Sequence, residues 1–137
     1  MHEFVWPVRV YYEDTDSGGV VYYANYLKFM ERARTEYLRR LGFEQDTLIS
    51  QQGVIFAVRS LTVDYLKPAK FNDLLEVSAK IIERGKASLL FEQKIIKVGT
   101  DGSVLCSGKV KIASLDASTL RPKPIPAQIL AEISCDC

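Results

Sequence analysis

The 137-residue, 15.5 kDa chain has the length of one domain, and its 47% apolar and 26% charged residues lie in the ordinary globular range, which excludes disordered, collagenous and coiled-coil compositions. Lys plus Arg is 18 and Asp plus Glu is 17, so a formal net charge of +1 leaves no whole-chain electrostatic footprint for nucleic acid or an anionic membrane. No apolar run of about 18 residues is present to span a bilayer, and residues 1–9 lack the pattern of a secretory leader, so the expectation is one cytoplasmic domain over residues 1–137.

Residues 3–12 read as a strand containing Pro7, which lacks a ladder donor and so belongs at a sheet edge or before a late strand start near Val8. Glu13 to Gly19 is loop chemistry. From Asn25 to Leu41 the apolar spacing is helical: Tyr26, Met30, Ala33, Tyr37 and Leu41 form a stripe widened by Leu27 and Leu38. Glu36 and Arg40 are expected to pair one turn apart, and Gly42 is a natural C-terminal stop. A short helix is expected over residues 45–51.

The period then changes to two. Val54, Phe56 and Val58 share one face, and Leu61, Val63 and Tyr65 share another. The phase slip at Arg59-Ser60 marks a β-bulge or a strand covered on both faces. Val77, Ala79 and Ile81 alternate up to a turn at Gly85. Leu89, Phe91 and Ile95 then oppose Leu90, Ile96 and Val98, Thr100 to Ser103 is a hairpin signal, and Val104 to Ile112 alternate in the last strand. Pro122, Pro124 and Pro126 break structure before a short amphipathic end, residues 127–133. Strands joined by turns rather than helices imply an antiparallel sheet, and the single long helix must cover it: an α+β fold of about five strands curved around one helix.

Cys106 sits in strand alternation and reads as a small buried apolar residue, whereas Cys135 and Cys137 stand in a terminal Cys-Asp-Cys. The chain has one histidine, His2, close to the terminus, which argues against Ser-His-Asp or Cys-His catalysis and against histidine metal sites. Carboxylates, tyrosines or backbone amides must then carry any reaction. They concentrate between Tyr11 and Tyr26, where Glu13, Asp14 and Asp16 precede Gly18-Gly19 and the helix start. Unpaired N–H groups at a helix N-terminus favour negative charge, including charge developing on a carbonyl oxygen. A carboxylate just upstream can attack that carbonyl or activate water. A solvated acidic turn, or a divalent cation on Glu13, Asp14 and Asp16, are the readings that spacing alone leaves open.

Tyr12-Glu13-Asp14-Thr15-Asp16-Ser17-Gly18-Gly19-Val20-Val21-Tyr22-Tyr23-Ala24-Asn25-Tyr26 resembles the signature of the 4-hydroxybenzoyl-CoA thioesterase family, within the hotdog-fold superfamily. It is closest to the Tol-Pal-associated branch, whose helix is matched again by Glu31-Arg32-Ala33-Arg34-Thr35-Glu36, and the likeness extends more loosely past Pro68 and Gly85 to the last strand. The resemblance implies a hotdog fold, dimers often paired into tetramers with sites between subunits, and hydrolysis of acyl-CoA thioesters without metal or cofactor. It assigns Asp16 as nucleophile or general base and the backbone amide of Tyr23 as the group polarising the carbonyl. Gly19 and Val20 are expected against the substrate, and Arg84, Lys86 and Lys70 near the CoA phosphates. The Tol-Pal branch commonly has His at the position of Tyr23, whereas the hydroxybenzoyl enzymes have Tyr there. A non-catalytic acyl-CoA or acyl-carrier binding module, serving an envelope complex with acyl carrier protein or Tol-Pal-related partners, is the competing reading. A hotdog dehydratase is disfavoured, because it needs a histidine.

Overall fold

The computed structural model describes residues 3–133 and Cys135; His2 and Cys137 lie outside the described residues. One antiparallel sheet has the order β1-β3-β4-β5-β2, formed by β1 (Phe4–Arg9), β2 (Val54–Tyr65), β3 (Leu74–Arg84), β4 (Ser88–Lys97) and β5 (Val104–Asp116). The long helix α1 (Asn25–Arg40) packs on it, with short helices α2 (Gln45–Gln52) and α3 (Ala127–Glu132). This is the α+β hotdog arrangement that the resemblance implies. No helix among the described residues is long and apolar enough to cross a membrane.

Helix α1 forms where its stripe finds the sheet. Tyr26, Phe29, Met30, Ala33, Tyr37 and Leu38 are buried at helical spacing, each large one contributing about 1.5–3 kcal/mol of transfer free energy. Gly42, at φ +98°, ends the helix in the left-handed conformation. The expected Glu36–Arg40 pair does not form. The turn into α2 brings Glu44 to Arg39, which gathers both Glu36 and Glu44, and Arg40 instead covers the Phe4 ring 4.9 Å from its centroid. Close approach of helix and sheet depends on Gly108 in β5, where a Cβ would lie 3.2 Å from Met30 Cε and 3.3 Å from the Thr62 carbonyl.

Strand β1 is an edge strand, as Pro7 requires, yet it begins at Phe4 rather than near Val8. An edge position leaves the missing donor without cost, so the ladder runs through Pro7, which faces Glu76. In β2 the register slips between Val58 and Ser60, which makes Arg59 the bulge residue. The extra residue restores the phase. Val58 and Leu61 therefore both face Met30 of α1, and Tyr65 faces Tyr26, so the two apolar triplets share the helix side rather than opposite faces. Further slips between Ile81 and Glu83 and between Ile95 and Ile96 add to the curl of the sheet around α1.

Among the described residues the outer edge of β2 is unpaired over its twelve residues, and it carries exposed Val58, Leu61 and Tyr65. Cys106 is fully buried as expected, and burial pushes its thiol up to about 11. Of the tyrosines, Tyr26 and Tyr37 are core, while Tyr11, Tyr12, Tyr22, Tyr23 and Tyr65 are exposed in the single chain.

Candidate active site

The acidic segment folds as a tight hairpin leading into α1. Residues 12–14 form a single 3₁₀ turn, and Asp14 Oδ2 accepts the Tyr11 N–H at 2.8 Å. Thr15 bridges Val21, the Asp16 N–H donates to the Val20 carbonyl, and the Gly19 N–H returns to the Asp16 carbonyl at 3.0 Å. The Asp16 side chain closes this turn, its Oδ1 accepting the Gly18 N–H at 2.8 Å. Gly19 has φ +80°, which favours glycine, and a Cβ on Gly18 would lie 3.2 Å from Asp16 Oδ1. Asp16 is solvent-exposed, so its carboxylate is open to a ligand.

Two buried side chains lock this hairpin to the helix. Asn25, the first residue of α1, donates from Nδ2 to the Asp14 carbonyl, which also takes the Tyr22 N–H. The Tyr26 hydroxyl accepts the Ala69 N–H at 2.9 Å, and the Val21 N–H donates to the Ala69 carbonyl. Val20 bridges Lys70. Asp16, Gly19, Val20 and Lys70 therefore form one loop cluster at the N-terminal end of α1.

Tyr23 occupies the turn just before the helix. The N–H groups of Asn25, Tyr26 and Leu27 are used by carbonyls three residues back, but among the described residues nothing accepts from the N–H of Tyr23 or Ala24. No side chain caps this end. Two free donors thus stand at the positive end of the helix dipole, where developing negative charge is stabilised. The Tyr23 ring meets Tyr22 at 4.7 Å and Tyr65 at 6.1 Å, and the Tyr22 phenol is pushed up in pKa by its Tyr23 neighbour. A hollow of about 220 Å³ opens beside Tyr23, lined also by Tyr26, Tyr65 and Leu66.

The acidic side chains do not converge as a cation site would require: Asp14 turns to Tyr11 and Asp16 to Gly18. Among the described residues no group of three His, Cys, Asp or Glu could hold a metal.

Arg84 and Lys86 are exposed, but they lie at the other end of the sheet. Strand β3 starts beside the Asp16 cluster at Leu74 and reaches Arg84 ten residues later, about 33 Å of extended chain. One chain does not bring them to Asp16. Arg84 instead donates to the Leu130 carbonyl, and the Lys86 carbonyl accepts the Ile125 N–H. Arg59 marks the bulge and enters no ion pair among the described residues.

Sequence reading missed Asn25, and it missed Arg34 and Gln93, a buried pair joined at 2.9 Å beneath α1. A signal for the pair existed, since Arg34 lies on the apolar stripe between Met30 and Leu38 and Gln93 falls in register with Phe91 and Ile95.

Known proteins place these features in a family. Residues 10–133 match the thioesterase-like superfamily. The acyl-CoA thioesterase YbgC of Haemophilus influenzae is 47% identical over 93% of this chain and 92% of its own length. The acyl-CoA thioester hydrolase YbgC of Escherichia coli is 45% identical over 94% of each chain. The crystal structure of a probable thioesterase from Bartonella henselae superposes with a TM-score of 0.85 at 35% identity, covering 91% of this chain and all of the other. The chain belongs to the thioesterase-like superfamily.

Proposed function

We propose that this protein hydrolyses acyl-CoA thioesters to a free acid and CoA, with Asp16 and the Tyr23 backbone amide as its reacting and polarising groups. The observation that carries the reading is the unpaired Tyr23 N–H at the start of α1, set on the same hairpin-to-helix unit as an exposed, turn-anchored Asp16. The thioester oxygen accepts from that N–H, and the helix N-terminus stabilises the oxyanion formed when the carbonyl carbon is attacked. The attacking group is either the Asp16 carboxylate, giving an anhydride that water then opens, or a water whose proton Asp16 takes. In both routes the C–S bond breaks, CoA leaves as thiolate and is protonated, and one water is consumed. The relatives named as acyl-CoA thioesterases support hydrolysis over the non-catalytic binding module.

The site is shared between two copies in this proposal. Antiparallel pairing of two β2 edges would remove the exposed edge and cover Val58, Leu61 and Tyr65. Strands so paired run in opposite directions, so the Asp16 end of one copy comes beside the Arg84–Lys86 end of the other. Arg84 and Lys86 would then meet the CoA phosphates, with Lys70 on the chain that supplies Asp16, and Gly19 and Val20 would flank the acyl thioester. We place the chain as one cytoplasmic domain over residues 1–137 that works as a dimer or tetramer. Within the family we assign it to the Tol-Pal-associated branch of the 4-hydroxybenzoyl-CoA thioesterases, with acyl carrier or Tol-Pal-related proteins as partners.

Thiol release from a panel of aliphatic and aromatic acyl-CoA esters tests the chemistry; no release from any of them rejects it. Light scattering with activity across a dilution series tests the sharing. Activity should fall as the dimer dissociates, and a fully active monomer would refute a shared site.

A further inference from the structure

Pairing of two β2 edges closes the hollow between that strand and α1, so the residues lining the hollow meet a second copy. Leu27, Glu31 and Arg34 of the helix line it together with Val58 and Leu61 of the strand, and a narrower continuation reaches Leu38. Arg34 is 9% exposed, and its Nη1 donates to Gln93 Oε1. Gln93 is itself fully buried and donates from Nε2 to the carbonyls of Met30 and Ser78, so its orientation is fixed. None of the five ion pairs among the described residues includes Arg34 or Glu31. Among those residues the only buried side-chain nitrogen or oxygen without a partner is Ser114 Oγ, so the remaining Arg34 donors still reach the surface of the single chain. Glu31 stands one turn earlier, exposed, where one of its oxygens takes the Thr35 hydroxyl at 2.6 Å. Closing the hollow over either charge without a counter-ion would be costly, because a buried unpaired ion loses its hydration.

Symmetry decides which residues meet. Where two antiparallel β2 edges overlap fully, the two-fold axis passes at Arg59-Ser60, between the exposed Val58 and Leu61. Glu31 and Arg34 share the hollow with those two residues, so they stand at the same level of the helix. Helices related by that axis run antiparallel, and a residue just before the axis in one copy faces the residue equally far beyond it in the other. About a midpoint between positions 31 and 34, Glu31 faces Arg34 of the partner subunit. Leu27, four residues before Glu31, faces Leu38 of the partner subunit, four residues after Arg34. The order Leu27, Glu31, Arg34, Leu38 is apolar, acid, base, apolar, on one helix face, and it is complementary to itself reversed. Lys28 and Arg32 also line the hollow, but both are exposed and Arg32 lies over the Phe29 ring, 6.0 Å from its centroid, so their charges extend to water.

We propose that this face of α1 docks on the same face of a second copy, with Glu31 of each chain neutralising Arg34 of the other. This rests on the reading that two β2 edges pair to share the site. The four charges then alternate around the two-fold axis, and each guanidinium takes its carboxylate in charge-assisted hydrogen bonds while keeping Gln93 of its own chain. The network that seats α1 on the sheet, and with it the Tyr23 amide at the helix start, is complete only in the dimer.

The test is sedimentation across a concentration series for wild type, Glu31→Lys, Arg34→Glu and an equimolar mixture of the two variants. Glu31→Lys changes a side chain that is exposed in the single chain, so the fold survives it, and it sets four cations around the axis. It should weaken the dimer at least about a hundredfold in Kd, and Arg34→Glu should do the same with four carboxylates. Mixing the two variants should restore association to about the wild-type level. In the mixed dimer every pair between copies is opposite in sign, whereas positions 31 and 34 within each chain are alike, so recovery reports contact between copies. Weakening by both variants without recovery overturns the proposal. If circular dichroism shows Arg34→Glu unfolded, Glu31→Lys decides alone, and a Kd within about threefold of wild type overturns the proposal. A wild type that stays monomeric rejects the β2 pairing and this proposal together, and a wild-type dimer that Glu31→Lys leaves intact rejects this proposal alone.

Discussion

Replacing Asp16 by Asn separates the turn that this residue closes from the chemistry proposed for it. Its Oδ1 closes the Asp16–Gly19 turn by accepting the Gly18 N–H at 2.8 Å, and the amide oxygen of Asn accepts in the same place. The side chain is exposed and enters no ion pair among the described residues, so stability should change by no more than about 0.5 kcal/mol. The amide can neither attack a thioester as an anion nor take a proton from water. Turnover should therefore fall at least about a hundredfold, equivalent to about 2.7 kcal/mol of activation free energy. Thiol release gives kcat and KM, and a urea titration of the same preparation gives stability. A loss mainly in kcat, with an unmoved urea midpoint, is the expected result. Wild-type turnover in the folded variant would refute the role of Asp16, and a large fall in stability would show that the turn, not the chemistry, needs the carboxylate.

Gln93→Leu should cost about 3 kcal/mol or more in urea unfolding, because the Met30 and Ser78 carbonyls and the Arg34 guanidinium lose their buried partner together; a loss under about 1 kcal/mol would contradict that network. Asp116 is held below its ordinary value of 3.8, first by the Thr119 and then by the Ser118 N–H, with Lys123 adding to this. Its folded pKa is the lower one, so the stabilisation is present above that ordinary value and lost as pH falls through the depressed one. Asp116→Asn should accordingly unfold more readily than wild type at neutral pH, the gap closing in strong acid; a gap independent of pH would refute the charge contribution. Prolonged chelation should leave thioester hydrolysis unchanged, and activity lost to chelator and restored by Mg²⁺ or Mn²⁺ would make Glu13, Asp14 and Asp16 ligands.

The architecture was legible because each element has its own period. The α1 stripe, the turn at Gly85 and the bulge at Arg59 are local patterns, and the structure keeps all three. What local pattern cannot carry is the partner across space. Glu36 chose Arg39 because α2 brought Glu44 to the same guanidinium, and the two faces assigned to β2 became one once the bulge reset the alternation. At the site, the Asp16 turn was readable from its glycines. Asn25 was not, since nothing in its spacing reveals that the Asp14 carbonyl waits eleven residues upstream. The distance separating Arg84 and Lys86 from Asp16 was equally hidden, because it is set by the run of β3 rather than by any motif.

The sheet order also governs how the chain must be made. Among the described residues strand β1 pairs only with β3, and Phe4 pairs with Ala79, 79 − 4 = 75 residues later. During synthesis β1 and α1 leave the ribosome first, and at about 5–20 residues per second they wait roughly 4–15 s for their partner strand. Over that interval the buried stripe of α1, from Tyr26 to Leu38, is an uncovered amphipathic surface and Phe4–Arg9 an unpaired strand. Docking of the N-terminal strand is thus a late event that closes a long chain loop, after the β3–β4–β5 meander has formed from its short turns. Slowed translation through the β3 codons would lengthen the exposure, and the nascent chain's demand for chaperones should peak there.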